Sequence, residues 1–234
     1  MKNKIKIGQR YVGQGEPVFV IAEVGSNHNR DLATALKMVA AAAAAGVDAV
    51  KFQTYSAATL YSKYTPRLTE MTGRSKPGEG PYDLIKRIEM PRAWHRVLMK
   101  KCRDCGVLFA SSPFDLAAVE ELDRLNVPFF KIASYETDDC RLLKAVGATG
   151  KPIIISFGYS SEEEVKFAID TLRNNGAKDI VALHCVTGYS DAPKSGDMHL
   201  ANIADLHNRF SVVSGFSDNN AGIEIPVMAV QAGA

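Results

Sequence analysis

The stretch Pro152-Ile153-Ile154-Ile155-Ser156-Phe157-Gly158 carries a single hydroxyl in an otherwise continuous apolar run, closed by a proline and a glycine. A strand with one wet face would alternate apolar and polar side chains. A run apolar on both faces instead requires a parallel sheet covered on each side. Six further segments read the same way: Val18 to Val24, Ala49 to Tyr55, Val107 to Phe114, Phe129 to Tyr135, Ile180 to Val186 and Ser211 to Asp218. Between them lie helical patterns. The clearest starts at Asp31 as N-cap, runs through Leu32, Leu36 and Val39, and stops at Gly46. The repeating unit is strand, loop, helix.

Repeated βα units close into a barrel or spread into an open doubly wound sheet, and periodicity alone does not choose. The polar residues that look functional fall at the carboxyl ends of nearly every strand. That favours a barrel, in which all strand ends meet at one mouth. The expected fold is therefore α/β, a TIM (β/α) barrel, read as one domain over residues 1–234 and apparently truncated before its eighth strand. Residues 1–16 form an expected N-terminal hairpin, Lys4 to Ile7 with Arg10 to Val12, that could plug the barrel bottom. Gly13-Gln14-Gly15 is a turn and not a dinucleotide fingerprint, because it precedes a strand. Between the second and third strands, Ser56 to Pro81 is rich in Thr, Ser, Gly, Pro and Lys. It precedes a helix expected near Tyr82 to Met90, and its place after a strand's carboxyl end suits either a lid or substrate loop, as barrel enzymes put there, or a mobile insertion with no role.

The bulk composition narrows the classes. At 234 residues, with 46% hydrophobic and 23% charged side chains and a net charge of +2, the chain has no whole-surface field for nucleic acid or membrane. No run approaches the roughly 18 apolar residues of a membrane span, and Met1 to Ile7 lacks a secretory core, so a cytoplasmic protein is expected. Four cysteines, at 102, 105, 140 and 185, are too scattered for a disulfide framework. Cys102 and Cys105 read as small buried residues at a helix end.

Several residues carry chemistry. Glu23, in Ile21-Ala22-Glu23-Val24-Gly25, puts a carboxylate between apolar neighbours, which is costly unless it is paired or used. In Val50-Lys51-Phe52-Gln53-Thr54, alternation sends Lys51 and Gln53 to one face. Phe130-Lys131-Ile132-Ala133-Ser134 repeats the device, and two lysines on converging strands suit a small anion bearing phosphate and carboxylate. Ser111, Ser112, Ser156 and Ser217 at other strand ends add neutral donors. His184 reads as a base, a metal neighbour or a core histidine, and His95, His199 and His207 receive no role.

Taken in order, Ile21-Ala22-Glu23-Val24-Gly25 with Asn27-His28, Val50-Lys51-Phe52-Gln53, Ser112-Pro113-Phe114, Phe130-Lys131-Ile132-Ala133-Ser134, Leu183-His184-Cys185 and Gly215-Phe216-Ser217-Asp218 with Gly222-Ile223-Glu224-Ile225-Pro226 form a set. That set resembles the N-acylneuraminate (sialic acid) synthase family, which includes legionaminic and pseudaminic acid synthases. The resemblance implies a TIM barrel in which C3 of phosphoenolpyruvate attacks the aldehyde of an N-acylated mannosamine-type sugar, giving a nonulosonic acid and phosphate. By position, Lys51, Ser112, Lys131, Ser134, Ser156 and Ser217 would hold phosphoenolpyruvate. Gln53 and Tyr189 would contact the sugar, and Glu23 would stand beside the reacting carbons as the catalytic group. A homodimer and a divalent metal, Mn2+ or Mg2+, belong to the same implication. The chain departs from the family at the metal: Asn219 stands where the family has a ligand histidine, and the second histidine would lie beyond Ala234, as would the antifreeze-like domain. The alternative is a shortened, catalytically impaired paralogue that binds an anionic ligand or a partner subunit. A barrel synthase making another 2-keto acid is the weaker third reading.

Overall fold

In the computed structural model, residues 3–66, 76–187 and 195–234 are described. The chain divides into two compact units, Val20–Val127 and a second made of Met1–Phe19 with Pro128–Ala234.

The first unit is built on a three-stranded parallel sheet of order β3-β4-β5, with β3 at Ile21–Gly25, β4 at Ala49–Thr54 and β5 at Leu108–Pro113. Helices α1 (Leu32–Ala44), α2 (Ala57–Leu60), α3 (Pro81–Ile88), α4 (His95–Asp104) and α5 (Leu116–Arg124) connect and cover it. Helix α1 starts where the Asp31 carboxylate accepts from the Ala33 and Thr34 amides at 3.1 and 3.2 Å. It ends before Gly46, whose φ of +84° is the left-handed turn that glycine adopts at no steric cost. Asp115 caps α5 through the Ala118 amide at 2.7 Å. Cys102 is fully buried on α4 and Cys105 is that helix's C-cap, a packing role for both.

The first strand begins later than its apolar run suggests. Val18 and Val20 are exposed, and the Val20 amide goes to the Asp48 carboxylate at 2.8 Å while its carbonyl accepts from the Asp48 and Ala49 amides at the start of β4. Within β3 the register slips between Glu23 and Gly25, a bulge that re-aims the strand's last residues.

The second unit carries a four-stranded parallel sheet of order β6-β7-β8-β9: Phe130–Ile132, Ile153–Phe157, Ile180–Cys185 and Val213–Ser217. All five residues of β7 are buried, as a strand covered on both faces must be. Helices α6 (Cys140–Ala148), α7 (Glu162–Asn174), α8 (Ala201–Phe210) and α9 (Glu224–Gln231) follow these strands in turn. A reciprocal cap between Ser161 and Glu164 opens α7. Strand β6 is shorter than expected, because the chain turns into a 3₁₀ segment at Ser134–Glu136. There the Thr137 hydroxyl donates to the Ser134 carbonyl at 3.0 Å and satisfies a group the ladder would have used.

The amino-terminal hairpin pairs β1 (Lys4–Ile7) with β2 (Arg10–Gly13) antiparallel. Its alternation is clean, with Ile5 and Ile7 buried and Lys4 and Lys6 exposed. Ile5 reaches Ile180, Val212 and Val213 around a cavity of about 30 Å³. The hairpin therefore covers the amino ends of β8 and β9.

Candidate anion-binding site

Two polar clusters form, one in each unit. In Val20–Val127, Glu23 and Lys51 stand opposite each other in the β3–β4 register and make an ion pair. Gln53, two residues along the same face as Lys51, donates from Nε2 to Glu23 Oε1 at 3.1 Å. Ser112 sits beside Gln53 in the β4–β5 register and is buried. The sequence suggested a carboxylate paying for burial. Instead the Glu23 side chain is 42% exposed and Lys51 only 13%, so the lysine is the enclosed partner.

Gly25 makes the arrangement possible. Its φ is +52°, and a Cβ there would lie 2.9 Å from Glu23 Oε1 and 3.4 Å from Gln53 Nε2. The carboxylate and amide thus occupy space that only glycine leaves. His28 does not join them. It is fully buried against Phe52 and Trp94, on the other side of β4 from Lys51, and burial lowers its pKa.

The cluster of the second unit is centred on Lys131. This lysine is 5% exposed, and among the described residues its ammonium hydrogen-bonds only to the Ile132 carbonyl, at 2.8 Å. Burial brings its pKa down to about 8, against the opposing pull of Cys185 and Glu136. Ser156 lies two residues beyond Ile154, the register partner of Lys131, so both project from the same face. The Ser156 hydroxyl is buried with no partner among the described residues. Buried hydroxyls are normally paired, so an unpaired one beside a buried cation marks a place for an acceptor. Ser134 is buried at the end of β6, and Gly158 lets it approach: a Cβ on Gly158 would meet Ser134 Oγ at 3.1 Å and Thr187 Cγ2 at 2.4 Å. Ser217 ends β9, half-buried, in register with Cys185.

Glu136 is a residue that the sequence analysis did not single out. Burial pushes its carboxyl up to about 7 in spite of the lysine, and Oε2 has no partner among the described residues. Its only sequence signal is its place two residues after Ser134, at the close of an apolar strand. His95 was passed over as well; it is buried between α4 and the sheet and bonded on both nitrogens. His184 resolves as a core residue: its Nε2 is 2.8 Å from the Met198 carbonyl, and burial lowers its pKa. Tyr189 lies outside the described residues.

Asn219 is held by its amide nitrogen. Its Nδ2 donates to Cys185 Sγ at 3.1 Å and to the Val186 carbonyl at 3.3 Å, and because that carbonyl can only accept, the nitrogen must face it. Its Oδ1, the atom able to bind a cation, takes no part in these bonds. No group of three or more His, Cys, Asp or Glu side chains able to hold a metal occurs among the described residues.

A family model described as the NeuB family matches residues 38–234. The chain is 39% identical to an uncharacterized protein of Methanocaldococcus jannaschii over 99% of its length, covering 64% of that protein. It is 37% identical to the pseudaminic acid synthase of Helicobacter pylori over 94% of its length, again covering 64% of the relative. Among solved structures it is similar to an N-acetylneuraminic acid (sialic acid) synthetase from Leptospira borgpetersenii in complex with citrate. The TM-score is 0.85 at 32% identity, over 99% of this chain and 75% of that one. The chain thus spans about 64% of the length of the curated relatives it matches.

Proposed function

This chain belongs to the NeuB family, and from that premise we propose that it serves a synthase which condenses phosphoenolpyruvate with an N-acylated mannosamine-type sugar, releasing phosphate and a nonulosonic acid. The observation that carries this reading is Lys131, a buried cation beside the unpaired hydroxyl of Ser156. A buried charge without a counter-ion is costly, and an incoming phosphate or carboxylate would supply the missing partner.

In this proposal Lys131, Ser134, Ser156 and Ser217 take the anionic groups of phosphoenolpyruvate. Lys51 and Ser112 contribute from the other cluster, and the single domain is a (β/α) barrel. Gln53 and Tyr189 contact the sugar. Glu23, oriented by Lys51 and Gln53, stands beside the reacting carbons. C3 of phosphoenolpyruvate bonds to the aldehyde carbon, water adds at C2, and the C2–O bond to phosphate breaks. Much of the acceleration in such a two-substrate reaction comes from holding the partners together. Glu136, with a carboxyl near 7, can hold or release a proton close to neutral pH. No step is routed through a metal.

A cytoplasmic homodimer completes the proposal; no helix among the described residues is long and apolar enough to cross a membrane. Asn219, standing where the family has a ligand histidine, favours one second reading, a family member that binds the anion without turning it over. Phosphate release from phosphoenolpyruvate, measured with a panel of N-acyl sugars with and without manganese, tests the first. Calorimetric binding of phosphoenolpyruvate without turnover on any sugar supports the second. Neither binding nor turnover by the folded chain refutes both.

A further inference from the structure

We propose that His95 is a positioning residue for the Lys51–Gln53–Ser112 cluster, acting from the opposite face of the sheet through Thr54 and Ser111. The proposal rests on the reading of that cluster as ligand-binding.

The chain of contacts is continuous. Ser111 Oγ lies 2.7 Å from Thr54 Oγ1, Thr54 Oγ1 lies 2.9 Å from His95 Nε2, and His95 Nδ1 lies 2.7 Å from Glu121 Oε1. Glu121 in turn accepts from Arg92 at 3.4 Å. Arg92 clamps Asp115 with two bonds of 2.9 and 2.8 Å, and Asp115 caps α5 and accepts from Thr59. One network therefore ties α2, α4 and α5 to the carboxyl ends of β4 and β5.

Its polarity follows from what each group can do. A carboxylate only accepts, so His95 Nδ1 carries the proton. Burial lowers the pKa of His95, and Glu121 and Arg92 are the charged groups acting on it, so the ring is neutral and Nε2 accepts. The Thr54 hydroxyl must then donate to His95, which leaves its oxygen to accept from Ser111. Each hydroxyl proton has one direction. The surroundings are apolar, with Phe109 edge-on to His95 at 6.1 Å and stacked on Phe52 at 5.6 Å. A broken link would leave a dry, unpaired donor, which gives the network its stiffness. Solvent meets it at Thr59, which is exposed, and at its charged end, beside a cavity of about 280 Å³ lined by Arg92, His95, Arg96, Glu121 and Arg124.

The link to the candidate site is the strand alternation. Thr54 follows Gln53 and Ser111 precedes Ser112, so each outward anchor is one peptide from an inward group. Holding Thr54 and Ser111 sets the height and rotation of Gln53 and Ser112, and through Gln53 the Glu23 carboxylate.

The test uses the full chain and three variants: Thr54→Val, which deletes the hydroxyl at constant volume, Thr54→Ser, which keeps it, and Ser111→Ala. Side-chain amide resonances of Gln53 report its position without ligand, and calorimetry reports phosphoenolpyruvate affinity. Thr54→Val and Ser111→Ala are expected to shift the Gln53 amide signals and weaken binding about tenfold, while Thr54→Ser restores both. If Thr54→Val does not fold, Ser111→Ala against the parent gives the same readout. Unmoved Gln53 signals in a folded Ser111→Ala variant, or a Thr54→Ser variant as impaired as Thr54→Val, would overturn the proposal. If the parent itself binds no phosphoenolpyruvate, the ligand reading fails, and the amide shifts still decide the positioning role.

Discussion

Replacing Lys131 by methionine should stabilise the protein while abolishing its affinity for phosphoenolpyruvate. The side chain is buried, with one hydrogen bond to the Ile132 carbonyl and no carboxylate bonded to it among the described residues. Its pKa falls from 10.5 to about 8, so keeping the proton in the folded state at pH 7 costs roughly 3 kcal/mol, at about 1.4 kcal/mol per pH unit. Methionine is similar in length and carries no charge. Its substitution removes that cost and forfeits one hydrogen bond of about 1 kcal/mol, a net gain of about 2 kcal/mol at pH 7. The sign with pH is fixed. Between about 8 and 10.5 the unfolded lysine binds a proton and the folded one does not, so the parent gains stability as pH rises and the difference closes. Urea denaturation of both proteins at pH 7 and pH 10, with phosphoenolpyruvate calorimetry at pH 7, measures each part. A variant less stable than the parent at pH 7, or a difference indifferent to pH, would show that Lys131 is a structural ion-pair partner of Glu136 and not a cation held for a ligand.

Three other outcomes follow from the same geometry. Glu136→Gln should remove a pH dependence: the folded carboxyl near 7 keeps its proton where the unfolded one near 4.5 has lost it, so the parent loses up to about 3 kcal/mol as pH rises across that window. Urea midpoints at pH 5 and pH 7.5 compare the two. Ser156→Ala should change stability by less than about 1 kcal/mol, because the buried hydroxyl has no partner to lose, and yet weaken phosphoenolpyruvate binding in calorimetry. Gly25→Ala should cost about 1–2 kcal/mol for its left-handed backbone and push the Glu23 carboxylate off Gln53. Thermal melts give the first effect, and phosphate release should fall far more than the melt predicts.

The strands and helices were legible because burial on both faces leaves a signature in composition. Runs such as Ile153 to Phe157 cannot be half-wet strands, and Asp31 announces a helix start by the donors it satisfies. Boundaries were less legible. Val18 reads as strand but meets no ladder, and Tyr135 reads as strand but enters a 3₁₀ turn fixed by Thr137, because backbone pairing depends on the neighbouring strand and not on the run itself.

The residue types of the candidate site could be read in line, since alternation alone puts Lys51 with Gln53, and the ordered motifs marked the family. Protonation and pairing were decided by tertiary structure. Which lysine meets a carboxylate, why Glu136 holds a proton near neutral pH and which way the His95 hydrogen bonds point all depend on distances between groups remote in sequence and on the water excluded around them. Side-chain chemistry is local, whereas desolvation and charge interaction belong to the packed fold.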